Sequence, residues 1–261
     1  DPEFDSWEFH MDYPMAGENY VHGGKATLDP IINMGVCGTE ENDYLNAIWI
    51  MMRDGTLVIE GEGAMHDYHY STSTMPYWYY WVDHIEKVEV GEGITHVGNT
   101  AFYLSGSLTE ASLPDSLTSI GGRAFAKTGL TAIDLPESLT TIANDSFEYC
   151  SGLTEVEIPG TVAILRGFGY CENLKKVILN EGTGKIDSEA FRSCTALADI
   201  NFPDSLLRIE GYCFYDTALT ELDFNNVVTI AVDAFNSCKA LTELTIPETL
   251  TTYKDAFRGC S

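Results

Sequence analysis

The sequence predicts a repeat solenoid, with a parallel β-sheet on one face, short strands and turns on the other, and a β-rich cap at the amino-terminal end. Three observations predict it. Phe102, Phe125, Phe147, Phe168, Phe191, Phe214, Phe235 and Phe257 stand 21 to 23 residues apart. The segments that they close open with apolar-x-x-apolar-x-apolar, as in Leu130, Ile133, Leu135 or Leu241, Leu244, Ile246. A proline then follows at Pro114, Pro136, Pro159, Pro203 and Pro247. A fixed period in the twenties marks stacked supersecondary units, and the Leu-x-x-Leu-x-Leu core places them in the leucine-rich-repeat class.

Taken in order, residues 1–4 read as a cloning scar and stay outside the fold argument. Residues 5–35 mix aromatics, glycine and charge without a sustained period, and read as an irregular lead-in with the option of pairing with the cap. Residues 36–84 form the cap. Leu45 to Met51 and Thr56 to Glu60 are expected to be strands, joined through Asp54-Gly55, a hairpin turn signal. A cap is needed because the first coil would otherwise present a bare apolar face to water. The aromatic run Tyr77-Trp78-Tyr79-Tyr80-Trp81 closes it. In an extended run alternate rings would face opposite ways. The run then serves as a hydrophobic plug, or as a stacking platform for a sugar through Tyr77, Trp78, Tyr80 and Trp81.

Residues 85–261 make eight coils, opening near Ile85, Leu108, Leu130, Leu153, Leu174, Leu197, Leu219 and Leu241. Proline has no N–H for a ladder, so the sheet stops there. A second apolar pair and the phenylalanine, as in Leu206, Ile209, Phe214, close each coil from the far side. With parallel strands about 4.8 Å apart, eight coils make a slab about 40 Å long. Cys150, Cys171, Cys194, Cys238 and Cys260 each follow their Phe by three residues, and Ser105, Thr128 and Thr217 fill the same place elsewhere. That position asks for a small, mildly polar side chain rather than a disulfide partner. Cys37 and Cys213 lie outside the column, and the odd total of 7 leaves at least one free thiol.

Repeats such as LPDSLTSIGGRAF (113–125) and FPDSLLRIEGYCF (202–214) resemble the BspA-type leucine-rich repeats of bacterial and protozoan surface proteins. The run DGTLVIEGEGAMHDY, followed after a gap by Pro-Tyr-Trp, is similar to the capping segment before such arrays. The resemblance covers roughly residues 36–261 and implies an extracellular location and surface adhesion, with a host or neighbouring-cell protein or a matrix component as partner. Two departures stand out. Coil four is short before Phe168, and coil five has Asn180 in place of proline, so a bend is expected there. The array stops at Gly259-Cys260-Ser261 without a polar closing segment, which leads us to expect a piece of a longer chain bearing further domains and its own secretion signals.

The formal charge of −26, from 40 acidic and 14 basic residues, opposes nucleic acid and anionic membranes and favours a basic partner. No run reaches the roughly 18 apolar residues of a membrane span. Gly61-Glu62-Gly63 and Gly91-Glu92-Gly93 look like halves of a dinucleotide fingerprint, but His66 and His96 replace the third glycine and no helix pattern follows. His66 and His69 lack the spacing of a zinc hydrolase. No cofactor, metal or catalytic constellation is therefore read.

The outward positions of the strands form two columns. One runs Lys87, Glu110, Ala132, Glu155, Lys176, Asp199, Glu221, Glu243; the other runs Glu89, Ser112, Asp134, Glu157, Ile178, Asn201, Asp223, Thr245. Their carboxylates, Glu89, Glu110, Asp134, Glu155, Glu157, Asp199, Glu221, Asp223 and Glu243, are the candidate ligand-binding residues, with Lys176 dividing two acidic patches. The expected function is non-enzymatic recognition of a macromolecule on this face. The alternatives are a passive spacer and glycan binding at 77–81.

Overall fold

The computed structural model describes residues 31–39, 46–70 and 75–260. The residues read as a scar, most of the lead-in and Leu45 lie outside the described ones. The cap begins with strand β1 (Ile31–Val36), antiparallel to β2 (Ala47–Met52), which is antiparallel to β3 (Thr56–Gly61). Gly55 forms the expected turn at φ 83, its N–H reaching the Met52 carbonyl at 3.3 Å. In β2 the buried residues alternate as Ala47, Trp49 and Met51, the two-residue period of a strand with one face on a core. Residues 31–35 are thus a strand rather than irregular, and this end of the lead-in pairs with the cap through β2. A register shift between Ile31 and Asn33 breaks its alternation, which hides the strand in the sequence.

After β4 (Gly63–Ala64) the chain winds into coils, each passing from a front strand to a back strand. The first coils hold β5 (Lys87–Val90), β6 (Ile94–Val97), β7 (Glu110–Ser112), β8 (Ser119–Ile120) and β9 (Thr141–Ile142). The middle coils hold β10 (Glu155–Ile158), β11 (Ile164–Leu165), β12 (Lys176–Leu179) and β13 (Lys185–Ile186). The last hold β14 (Asp199–Ile200), β15 (Arg208–Ile209), β16 (Glu221–Asp223), β17 (Thr229–Ile230) and β18 (Glu243–Thr245). Front strands pair in the orders β1-β2-β3-β5-β7, β10-β12-β14 and β16-β18. Back strands pair as β4-β6-β8-β9 and β11-β13-β15-β17. All coil-to-coil pairs are parallel, and β3 starts the ladder by pairing with β5, so the cap covers the first coil with main-chain bonds. Pro114, Pro136, Pro159, Pro203 and Pro247 each accept an N–H from three residues on, at 2.9 to 3.2 Å. Each thus opens the turn that carries the chain from front to back.

The phenylalanine of every coil points inside. Consecutive rings from Phe102 to Phe257 stand 4.9 to 5.9 Å apart, mostly in stacked geometry. All are fully buried except Phe257, which is partly so. Threonine and serine hydroxyls tie coil to coil, as where Thr118 and Thr140 donate to the carbonyls of Thr95 and Thr118 at 2.9 and 3.1 Å. The cysteine column has a more specific role than size. The thiols of Cys150, Cys171, Cys194, Cys238 and Cys260 donate to the Phe carbonyl of the preceding coil at 3.0 to 3.2 Å. Thr128 and Thr217 donate to the Phe carbonyl of their own coil instead. The position therefore holds a small side chain that donates a hydrogen bond in every coil but the first, where the buried Ser105 hydroxyl has no partner among the described residues. Burial pushes the Cys150 and Cys238 thiols up to about 11, so they stay protonated and keep donating.

The front sheet departs from the regular slab in two places. No strand forms at Ala132 and Asp134, although Ile133 still points inward. Past β14, Asn201 replaces the ladder, its side chain accepting from the Leu179 N–H and donating to the Leu179 carbonyl, both at 2.8 Å. At coils four and five, where a bend is expected, the irregularity is confined to the back of coil four. Strands β10 and β12 pair over four residues, while the back ladder breaks between β9 and β11, where the short coil begins.

The turns flanking each Phe use left-handed backbone at non-glycine residues, for example Asp145 and Tyr149 around Phe147 (φ 60 for both). Glu148 sits between them, and its carboxyl is held above its ordinary value by burial first and by the nearby charge of Asp145 second. A raised folded-state value gives stability that is present below the unfolded value and lost as pH rises through the folded one. Glu148→Gln should therefore raise Tm at pH 7 by about 1–2 °C and leave it unchanged near pH 3.5, as measured by calorimetry. An equal shift at both pH values would overturn the assignment.

Candidate binding face

The register places the predicted columns side by side on the front. Lys87 stands opposite Glu110, Glu155 opposite Lys176 and Lys176 opposite Asp199. Glu221 faces Glu243, with Asp223 beside Thr245. All of the candidate carboxylates are exposed except Glu89, which is half-buried. Ala132, Asp134 and Asn201 lie outside strands, so the columns are interrupted rather than continuous.

The charges on this face are unevenly compensated. Lys87 bridges Glu89 and Glu110, both at 3.0 Å, and Lys176 pairs with Glu155 at 3.3 Å. Glu157 accepts from the Asn180 side chain at 2.9 Å. Among the described residues Asp199, Glu221, Asp223 and Glu243 form no ion pair. Two carboxylates about 5 Å apart repel by roughly 0.8 kcal/mol at the dielectric of water. Folding tolerates that, and the cost is relieved when a cation approaches.

The aromatic run does not extend. Tyr77–Trp81 is a 3-10 helix, whose three-residue turn puts positions i and i+3 on one side. Trp78 and Trp81 face in, while Tyr77 and Tyr80 face solvent at 61% and 86% exposure. Trp78 is fully buried, donates from Nε1 to the Ala101 carbonyl at 2.8 Å, and stacks on Phe102 at 6.0 Å. It is the first rung of the phenyl stack. Trp81 packs against Trp49 at 6.0 Å. A sugar platform made of all four rings is therefore corrected, because Trp78 has no free face.

One polar chain escaped the sequence reading. His96 lies 2.8 Å from the Ser119 hydroxyl through Nδ1 and 3.1 Å from Asp67 through Nε2, on adjacent back strands and the cap. Asp67 also accepts the Asn99 N–H at 2.7 Å, and its carboxyl lies below the usual range: burial opposes this, but the Asn99 and His96 hydrogen bonds outweigh it. The trio resembles a nucleophile, base and acid in composition. The neighbouring N–H groups of Gly121 and Gly122 are, however, taken by the Val97 carbonyl and the Asn99 side chain. Neither is available to an oxyanion, and the chain acts as a tether between cap and coils.

A family model for the BspA-type leucine-rich repeat region matches residues 72–168 and 166–261, in six copies. Among solved structures, a leucine-rich repeat protein from Bacteroides ovatus is similar, with TM-score 0.52 and 16% identity over 87% of this chain and 79% of that one. The T. pallidum leucine-rich repeat protein has TM-score 0.50 and 21% identity, covering 81% of this chain and 88% of its own. Among curated proteins no match is found. These two structures share the fold, and the family match spans most of the sequence. The chain therefore belongs to the BspA-type leucine-rich-repeat family.

Proposed function

We propose that the chain is a non-enzymatic binding module of a cell-surface or secreted protein, recognising a basic macromolecular partner through the front of the solenoid. The observation that supports it most is the cluster Glu221, Asp223 and Glu243, in register on β16 and β18, together with Asp199 on β14, all exposed and without an ion pair among the described residues. Main-chain ladders and the phenyl stack hold these carboxylates in place, so little ordering cost accompanies binding. The partner class is a host or neighbouring-cell protein or a matrix component, in keeping with the resemblance to surface adhesins.

The test is charge reversal. Glu221→Lys, Asp223→Lys and Glu243→Lys together should lower adhesion to a panel of purified matrix proteins and whole cells about tenfold or more, with Tm kept. Binding by the parent should also weaken as salt rises. Unchanged adhesion in the triple variant would overturn the reading. Absence of adhesion by the parent chain would favour a passive spacer.

A further inference from the structure

The coils are not joined equally, and one junction stands apart. Between coils two and three the Thr118 and Ile120 carbonyls accept the N–H groups of Thr140 and Ala143 at 2.9 and 3.0 Å. Between coils four and five the Ala163 and Leu165 carbonyls accept those of Gly184 and Asp187 at 3.0 and 2.8 Å. Between coils three and four the back strands do not pair, and coil three has no front strand to offer. Two main-chain bonds cross there among the described residues. The Phe147 N–H donates to the Gly167 carbonyl at 2.8 Å, and the Tyr149 N–H to the Gly169 carbonyl at 3.0 Å. The front ladder also stops between β14 and β16, but behind that gap β15 and β17 still pair.

Both crossing bonds lie on the phenylalanine edge, and rings reinforce it. Phe147 and Phe168 stack at 4.9 Å, and Tyr149 and Tyr170 at 4.6 Å. Lys127 Nζ lies 5.5 Å from the Tyr149 ring and 5.6 Å from that of Tyr103, while the Arg192 guanidinium lies 5.7 Å from the Tyr170 ring. The stacked pair is thereby tied into the coils on both sides. Away from this edge the bonds across the junction come from side chains. The Thr161 hydroxyl donates to the Leu139 carbonyl at 2.6 Å, and Arg166 to the Asn144 side-chain oxygen at 3.1 Å. On the back the junction is a cleft of about 560 Å³, between Thr140, Ile142 and Asn144 of coil three and Ala163, Ile164 and Arg166 of coil four. The change of coil shape falls here: Leu165 precedes its Phe168 by three residues, where Ile142 and Ile186 precede theirs by five. Coil four keeps ring beside ring and gives up the back ladder with coil three.

We propose that this seam is a hinge, at which the cap with coils one to three and coils four to eight turn as two rigid bodies about the phenylalanine edge, widening and narrowing the rear cleft. The unbroken back ladders β4-β6-β8-β9 and β11-β13-β15-β17 keep each body rigid. Across the seam the packing of Ile142, Val162 and Leu165 is non-directional and tolerates small shifts, whereas a hydrogen-bonded ladder would not. Because the rings stay stacked, the movement needs no unfolding, and the chain still melts as one unit. On the front, Glu89 and Glu110 ride on the first body and Glu221 and Glu243 on the second. The hinge itself does not depend on what the front binds.

Spin labels on cysteines that replace exposed residues at the head of the back strands read the motion. A Cys260→Ser background serves, because the other native thiols are buried. Thr118→Cys with Leu207→Cys spans four coil steps across the seam, and Ala163→Cys with Thr251→Cys spans four within one body, each about 19 Å. The first pair should give a distance distribution about twice as wide as the second, or two resolved distances. Equal widths, or the greater width in the second pair, would overturn the hinge. In the unsubstituted chain the Ile164 and Arg166 amides should exchange with deuterated water at least about tenfold faster than those of Lys185 and Asp187, one coil on. Equal protection would overturn it as well, since the seam would then be closed.

Discussion

Phe168→Ala is expected to lower stability by about 3–5 kcal/mol, the range for emptying a fully buried phenyl site. Phe168 is fully buried and stacks on Phe147 at 4.9 Å and on Phe191 at 5.9 Å, so one truncation strips both neighbours of a ring contact. In a linear array stability is a sum of coil terms and nearest-neighbour terms, and a weak coil divides the cooperative unit. The variant should therefore melt in two steps. The tryptophans of the sequence, Trp7, Trp49, Trp78 and Trp81, all lie before the coils, so fluorescence in urea reports the cap side, while circular dichroism reports the whole. The two curves should coincide for the parent and separate for the variant. Phe168→Leu should recover most of the loss. A cost below about 1 kcal/mol, with coincident curves, would show that the stack is not what binds coil to coil.

Trp78→Ala is expected to cost a similar amount, about 3–5 kcal/mol, and to loosen the cap first. Its ring fills the space between Trp49, at 5.8 Å, Tyr68, at 5.4 Å, and Phe102, and its removal also orphans the Ala101 carbonyl. Tyr80→Ala, two residues away and almost wholly exposed, should stay within about 0.5 kcal/mol. Thermal melts of the two variants measure the contrast. Equal effects, or a stable Trp78→Ala protein, would contradict the plug.

Much of the fold was legible because repetition amplifies weak signals. A single phenylalanine says little, but its recurrence every 21 to 23 residues places the rings inside. The outward columns followed from the two-residue alternation of the strands, and the register of β16 and β18 agrees with them. The role of the cysteine column was half legible. Cys, Ser and Thr in one place imply small size, but the donated hydrogen bond needs the preceding coil's carbonyl, which only the winding supplies. The helical turn at 77–81 was not legible because five aromatics in a row carry no contrast between an inward and an outward face.

The sequence by itself determined the solenoid, its period, its buried ring and its acidic outward positions. These depend on spacing within one coil, and spacing is written in the chain. The tertiary structure alone decided where ladders break, through Asn201 and the short fourth coil, and how the tyrosines meet. Tyr103, Lys127, Tyr149, Tyr170 and Arg192 stand one or two places after their phenylalanines and share no motif. They become neighbours because left-handed turns and differing coil lengths swing side chains from unlike positions onto one edge. Contacts between coils depend on rise and rotation, which no local pattern encodes.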